Sequence, residues 1–188
     1  MITLPPKELA LLAINGFGAM QKMEEFEKLI TLLESKLEGA SAVLEIGAGN
    51  GGTSWTWNRM FESVTTIDLP NGPWGGSDLS KLNEYLPYWN YIEGDSHNPE
   101  IFNQVEDMCF DFLFIDGDHS YDGVKADFDN YSKLVRPGGL IAMHDICEHP
   151  PETGCEVKRF WDEVKIGKAY EEFISEPTSW GGIGVIKL

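Results

Sequence analysis

Apolar residues recur every three or four positions in the N-terminal part of the chain, with charged residues between them. The apolar positions are Met20, Met23, Phe26, Ile30, Leu33 and Leu37. This spacing places them on one face of a helix. The pattern therefore predicts an amphipathic helix that ends near Gly39.

From residue 42 onward, short apolar runs alternate with helical patterns. Five runs predict strands, namely Ala42–Ile46, Ser63–Asp68, Trp89–Glu93, Phe110–Ile115 and Leu140–His144. Helices are predicted at Trp55–Phe61 and Tyr121–Leu134. Strands that alternate with helices favour a mostly parallel sheet with helices on both faces. The sequence therefore predicts an α/β fold of the doubly wound, Rossmann-like type.

The C-terminal part of the sequence changes character. Glu156–Val164 predicts a helix, and Ala169–Ile174 and Gly182–Leu188 predict strands. An antiparallel hairpin that closes the sheet fits this order. We therefore expect residues 1–40 to form an N-terminal helical segment, either a cap or a dimer element, and residues 41–188 to form the sheet domain.

Composition narrows the classes of partner. The 188 residues, 42% of them hydrophobic, favour one compact domain. A net charge of -17 argues against a nucleic-acid partner, because phosphate backbones are bound by basic patches. Neither a signal-peptide pattern nor an apolar run of the ~20 residues that a membrane span needs is found in the sequence. We therefore expect a cytoplasmic protein that does not bind a membrane.

A glycine-rich turn follows the first predicted strand. Gly47, Gly49 and Gly52 fit the G-x-G-x-x-G pattern, which by itself also suits a dinucleotide-binding fold. Glu45 precedes the turn, and its carboxylate would repel a pyrophosphate but attract a cofactor that carries an ammonium and a sulfonium. This charge favours S-adenosylmethionine (SAM) over NAD. We expect Glu45, Gly47 and Gly49 to bind SAM.

Polar residues at the ends of the next two strands extend this site. Asp68 ends the second strand, where its carboxylate can accept hydrogen bonds from both ribose hydroxyls of either cofactor. Asp95 and Ser96 follow the third strand, and their side chains could reach the adenine ring. The alternative for Asp95 and Ser96 is an ordinary turn or helix cap.

The segment Leu44–Gly49 resembles the first motif of the class I SAM-dependent methyltransferases, and the resemblance extends over residues 44–188 in strand order. Within that superfamily, Phe112–Tyr121, Leu134–Ile141 and the pair His144-Asp145 are similar to the cephalosporin hydroxylase-like and macrocin-type O-methyltransferases. The resemblance implies a seven-stranded sheet with a reversed last hairpin. It also implies SAM as the cofactor and, often, a divalent metal ion.

The same resemblance implies roles for four polar residues. Asp116 and Asp145 stand where the family holds its metal, and His144 stands where an oxygen ligand is expected. Imidazole suits softer ions better than Mg²⁺, so the choice among Mg²⁺, Mn²⁺ and Ca²⁺ stays open. His119 takes the place of the catechol-type enzymes' lysine, and histidine titrates near neutral pH, so we expect it to be a general base. Asp116 and Asp145 are expected to be catalytic as well, and Asp116 to contact the cofactor.

We therefore expect a SAM-dependent O-methyltransferase that acts on a small hydroxylated molecule with metal assistance. Three alternatives stay open: a metal-independent N- or O-methyltransferase, a non-catalytic SAM-binding module and an NAD-linked oxidoreductase. Asp118 and Ser120 could simply cap the helix near Tyr121. Trp74 and Trp180, beside glycines, are candidates for an aromatic wall against the acceptor. The N-terminal segment could cover the acceptor or join two copies in a homo-oligomer.

Overall fold

The computed structural model describes residues 4–37, 39–69, 79, 82 and 85–188. Its strands are β1 Ala42–Ile46, β2 Ser63–Asp68, β3 Trp89–Glu93, β4 Phe110–Ile115, β5 Val135–His144, β6 Ala169–Phe173 and β7 Ile183–Lys187. Its α-helices are α1 Pro6–Phe17, α2 Met23–Lys36, α3 Gly52–Met60, α4 Pro99–Phe102, α5 Tyr121–Tyr131 and α6 Val157–Val164. Short 3-10 turns cover Ser132–Leu134 and Pro151–Thr153.

The strands form one sheet in the order β3-β2-β1-β4-β5-β7-β6. All neighbouring strands are parallel except β7, which runs antiparallel to β5 and to β6. The predicted seven-stranded, mostly parallel sheet with an antiparallel C-terminal hairpin is confirmed. The strand order reverses between β1 and β4, and open sheets of this type bind ligands at the carboxyl ends of the strands near that point.

Several element bounds differ from the sequence predictions, and α3, for example, begins at Gly52 rather than at Trp55. β5 begins at Val135 rather than Leu140, because Gly138 and Gly139 exchange backbone hydrogen bonds with Leu188 beside β7. The helix predicted as Tyr121–Leu134 ends at Tyr131 and tightens into a 3-10 turn. The sequence analysis assigned no separate element to α1 or to the one-turn helix α4, which the Asn98 side chain caps.

Side chains alternate between the two faces of the sheet, as the period of a strand requires. In β4, Phe112 and Phe114 join a cluster with α1, α2 and α3, whereas Leu113 and Ile115 join a cluster with α5 and α6. The expected segment 1–40 therefore shares a hydrophobic core with the sheet. Its role as a cap or a dimer element stays a prediction.

Trp57 of α3 lies at the centre of the first cluster. Its indole ring is fully buried and packs edge-on against Phe26, Phe61, Phe112 and Phe114. This one side chain links α2, α3 and β4. Among the described helices, none has both the length and the apolar content that crossing a bilayer would require.

We expect Trp57→Ala to lower the free energy of unfolding by about 3–5 kcal/mol, because it removes a large buried ring and leaves a cavity. Trp180→Ala is the matched control, since the Trp180 ring is 46% exposed and its loss should cost much less. Urea unfolding followed by circular dichroism measures both values. Equal losses in the two variants would contradict the central packing role of Trp57.

Candidate functional site

A cavity of about 800 Å³ lies at the carboxyl ends of the parallel strands. The ends of β1, β2, β4 and β5 supply part of its wall. The chain between α1 and α2 also contributes, through Ala19, Met20 and Gln21. The cavity therefore lies where the switch in strand order predicts a ligand site.

The glycine loop after β1 forms one end of this cavity. Gly47 has a φ of +82°, and a Cβ atom there would lie 2.1 Å from the carbonyl oxygen of Asp116. A Cβ at Gly52, the first residue of α3, would lie 2.3 Å from the backbone nitrogen of Ala19. Both positions exclude a side chain, so the loop packs directly against the end of β4 and the α1–α2 connection. Gly47 and Gly49 both line the cavity, where the sequence analysis expected them.

Asp68 at the end of β2 braces the same loop. Its Oδ2 accepts hydrogen bonds from the backbone nitrogens of Ala48 at 2.9 Å and Gly49 at 3.0 Å. Burial raises the pKa of Asp68, although these backbone donors act in the opposite direction. Because its carboxylate lines the cavity as well, Asp68 fixes the shape of the loop beside whatever molecule binds there.

Asp95 and Ser96 also line the cavity, but part of their hydrogen-bonding capacity is used within the protein. Asp95 Oδ1 accepts a hydrogen bond from the backbone nitrogen of His97 at 2.9 Å, as in an Asx turn. The Ser96 hydroxyl donates to Oδ1 of the buried Asp127 at 2.7 Å. The Asp95 contact is that of an ordinary turn, as the alternative interpretation predicted. A direct contact of Asp95 or Ser96 with adenine stays a prediction.

Glu45 is occupied by contacts within the protein. Its side chain is fully buried and is not part of the cavity wall. The Trp57 indole donates to Oε1 at 2.8 Å, and the hydroxyls of Ser54 and Thr66 donate to Oε2. Glu45 lies two positions after Val43 along β1, so both side chains point to the same face of the strand, toward α3. The expected part of Glu45 in binding the cofactor stays a prediction.

The cavity wall also carries a group of four side chains, Asp116, His119, His144 and Asp145, which we call the acid–imidazole cluster. Asp116 directly follows β4. His144 is the last residue of β5, and Asp145 directly follows it. Because β4 and β5 are neighbours in the sheet, these residues come together. His119 Nε2 and His144 Nδ1 lie 3.3 Å and 3.2 Å from Asp116 Oδ1. Each histidine also has a ring nitrogen 3.5 Å from a carboxylate oxygen of Asp145.

Opposite charges stabilise one another within the acid–imidazole cluster. Burial disfavours the anion of Asp116, but the charge of His144 and hydrogen bonds from both histidines outweigh it and lower the pKa of Asp116. Burial likewise disfavours the cation of His144 and of His119, yet the two carboxylates raise the pKa of both imidazoles. The carboxylates therefore favour positive charge on the imidazoles beside them.

The acid–imidazole cluster also fits a divalent cation. Ligand atoms of Asp116, His144 and Asp145 all lie within 4.8 Å of one another. Among the described residues, His144 Nε2 is buried without a hydrogen-bond partner. A divalent cation would supply the positive charge that the histidines provide in its absence.

Asp145 is held in an unusual backbone conformation. Its φ is +62°, in the left-handed region that residues other than glycine rarely adopt and that aspartate tolerates better than most. Its Oδ1 accepts a hydrogen bond from the backbone nitrogen of Gly181 at 3.0 Å. The next nitrogen, that of Gly182, donates to the buried Glu25 of α2 at 2.8 Å. A helix outside the motif region thus anchors the loop that orients Asp145.

Gln21 and His149 belong to the cavity wall beside the acid–imidazole cluster, although neither was predicted from the sequence. Gln21 is buried, and its Nε2 donates to Asp116 Oδ2 at 2.8 Å. His149 Nε2 lies 3.2 Å from Asp145 Oδ1, without hydrogen-bond geometry. No motif points to Gln21, which lies 95 positions from Asp116. His149 follows Asp145 by four positions, and this short spacing could have indicated that the two side chains lie close together.

The remaining expectations concern the α5 cap and the aromatic wall. The Ser120 hydroxyl accepts a hydrogen bond from the backbone nitrogen of Gly123 at 3.1 Å, and Asp118 Oδ1 accepts one from that of Ser120 at 2.8 Å. Both contacts are those of a helix start, as the capping alternative predicted. Trp180 lines the cavity, and its ring lies edge-on to His144. Trp74 lies outside the described residues.

Comparison with known proteins gives the family of this chain. A family model described as a methyltransferase domain matches residues 44–146. An uncharacterized protein of Acanthamoeba polyphaga mimivirus is 38% identical over 92 residues, which cover 47% of this chain and 42% of the relative. The chain spans less than half the length of the first curated relatives that it matches.

Two solved structures share the fold. The methyltransferase MycE from mycinamycin biosynthesis, solved with Mg, S-adenosylhomocysteine and mycinamycin VI, has a TM-score of 0.69 and 17% identity over 99% of this chain and 55% of its own. The O-methyltransferase TomG from Streptomyces achromogenes, solved with SAM, has a TM-score of 0.67 and 20% identity over 99% of this chain and 90% of its own.

The burial of Glu45 predicts a pH-dependent contribution to stability. Burial raises the pKa of Glu45 from its ordinary value of 4.5 to about 7, although the surrounding donors act to lower it. Because the folded state then favours the protonated acid, the contribution of Glu45 to stability is full below the ordinary pKa and is lost as the pH rises through about 7. We expect Glu45→Gln to remove this loss, which amounts to about 3 kcal/mol.

Urea unfolding of both proteins across this pH range measures the difference. The profile of Glu45→Gln should be flatter than that of the unsubstituted protein, whereas Glu93→Gln, at an exposed position on β3, should leave the profile unchanged. Parallel profiles for the Glu45→Gln variant and the unsubstituted protein would contradict the raised pKa.

Proposed function

The chain belongs to the methyltransferase domain family, and from that premise we propose that it transfers a methyl group from SAM to an oxygen of a small hydroxylated acceptor, with help from a divalent metal ion. The observation that carries the proposal is that two groups of residues line the same cavity. One is the glycine loop with Asp68, and the other is the acid–imidazole cluster.

The cofactor end has the features that a SAM site requires. Gly47 and Gly49 carry no side chain, so the backbone at these two positions can lie close to a bound nucleoside. The Asp68 carboxylate is fixed at the end of β2, where a ribose diol could donate to it. With Glu45 buried, we assign the negative charge facing a sulfonium to Asp116, whose backbone packs against Gly47.

The acceptor end has the donors that a hydroxyl acceptor requires. Asp116, Asp145 and His144 are the residues we assign to the metal. When bound, the metal would lower the pKa of an acceptor hydroxyl and fix its orientation. MycE, which shares the fold, was solved with Mg, and this supports the assignment of a divalent metal.

His119 is the residue we assign to proton removal. Asp116 Oδ1 lies 3.3 Å from its Nε2, Asp145 Oδ2 lies 3.5 Å from its Nδ1, and His119 lines the cavity. We therefore assign the neutral imidazole of His119 to accept the acceptor's proton as the oxygen attacks the methyl group. The methyl transfer itself is an in-line displacement, so the protein contributes positioning above all.

Trp180 is the residue we assign to the acceptor's apolar surface. It lines the cavity next to His144 and remains 46% exposed, so one face is open to a bound molecule. An indole ring can stack on a sugar or on a planar aromatic acceptor. A small-molecule acceptor fits a cavity of about 800 Å³.

We expect Asp68→Ala to weaken the binding of S-adenosylhomocysteine by about tenfold or more, because the variant loses a ribose acceptor and the brace of the glycine loop. Calorimetric titration measures the affinity. Glu93→Ala is the matched control, since Glu93 pairs with Asp68 in the sheet register but is exposed. Asp145→Asn changes the acid–imidazole cluster and not the cofactor site, so it should also keep the affinity for S-adenosylhomocysteine. Unchanged binding in Asp68→Ala would contradict the cofactor assignment.

A further inference from the structure

The donors around the acid–imidazole cluster are richer in nitrogen and sulfur than a magnesium site requires. We propose that the cavity holds a borderline transition-metal ion of the Zn²⁺ or Co²⁺ class rather than Mg²⁺, with the thiolate of Cys155 among its ligands. This inference rests on the proposed function and specifies the metal at the same site.

Two overlapping groups of ligand atoms support the proposal. Within each group the atoms lie within 4.8 Å of one another: one consists of Asp116, His144 and Asp145, and the other of His119, Asp145 and Cys155. Asp145 belongs to both groups, so one ion near its carboxylate would be within reach of imidazole, carboxylate and thiolate.

Cys155 is held at this place by the backbone around it. Its own nitrogen donates to the Thr153 hydroxyl at 3.2 Å, after the 3-10 turn Pro151–Thr153. The next nitrogen, that of Glu156, donates to the carbonyl oxygen of His119 at 2.8 Å. The start of α6 is thereby tied to the residue we assign as the general base. Cys155 and Thr153 both line the cavity.

Two buried imidazole nitrogens, one within the acid–imidazole cluster and one beside it, remain available to an ion. His144 and His149 each have a buried Nε2 with no hydrogen-bond partner among the described residues. Their side chains are 4% and 8% exposed. An unpaired buried nitrogen costs free energy, and a metal ion is one partner that would remove this cost.

The donor types decide the class of metal. Mg²⁺ requires six oxygen ligands and keeps several of them as water. In the two groups, Asp116 and Asp145 are the residues that offer oxygen, and the other members offer nitrogen or sulfur. Thiolate and imidazole favour Zn²⁺ and its neighbours in the first transition row. The protein therefore selects its metal through ligand type.

Titration of the full metal-free chain with Co²⁺ tests the proposal, because cobalt reports its ligands by absorption. We expect visible bands of a low-coordinate site and a near-ultraviolet band of thiolate-to-cobalt charge transfer. Zn²⁺ should displace the cobalt, and a large excess of Mg²⁺ should not. Cys155→Ser should lose the near-ultraviolet band and bind cobalt about tenfold or more weakly.

Two cysteine variants serve as controls. Cys109→Ser, at an exposed position before β4, and Cys147→Ser, at a buried position after β5, should both keep the near-ultraviolet band. Circular dichroism of each variant checks that it is folded. A band that survives in Cys155→Ser, cobalt bound without any thiolate band, or displacement by Mg²⁺ at equal concentration would each overturn the proposal.

S-adenosylhomocysteine is titrated into the same samples to separate the two claims. If the cofactor product binds and the thiolate band is absent, the metal inference fails and the proposed function stands. If the thiolate band is present but the cofactor product does not bind, the metal site stands and the proposed function fails.

Discussion

The carboxylate of Asp116 accepts hydrogen bonds from three side chains that belong to three different parts of the chain. Gln21 comes from the connection between α1 and α2, His119 from the loop after β4, and His144 from the end of β5. A buried anion requires such partners, because each unpaired interaction would cost free energy. The carbonyl oxygen of the same residue lies against Gly47. Asp116 therefore joins the glycine loop, the N-terminal helices and the histidines in one site.

The fold was predictable from the sequence because local patterns determine it. Short apolar runs gave the strands, and their alternation with helices gave a parallel sheet. A polar residue at the carboxyl end of a parallel strand lies at the ligand-binding edge, so Asp68 could be assigned to the cavity before any contact was known. The resemblance to the O-methyltransferases implied the same place for Asp116 and Asp145. The same reasoning brought His144 to the end of β5.

Contacts between distant segments and the direction of a single side chain were not predictable in this way. The charge of Glu45 does not tell which face of β1 the side chain occupies, and Glu45 points to the same face as Val43, toward α3. Gln21 of the α1–α2 connection and Glu25 of α2 belong to a part of the chain that carries no motif, and the packing of α1 and α2 on the sheet brings them there. Cys155 was set aside because its spacing from the other cysteines has no pattern. Its ligand neighbours come from other strands.

The burial of Glu45 removes the charge argument that separated SAM from NAD, so the choice of cofactor now rests on the cavity and on the family. Calorimetric titration of the purified protein with S-adenosylhomocysteine and, separately, with NADH tests this choice most directly. The account predicts saturable binding of S-adenosylhomocysteine at one site per chain and no binding of NADH. Binding of NADH without binding of S-adenosylhomocysteine would contradict it.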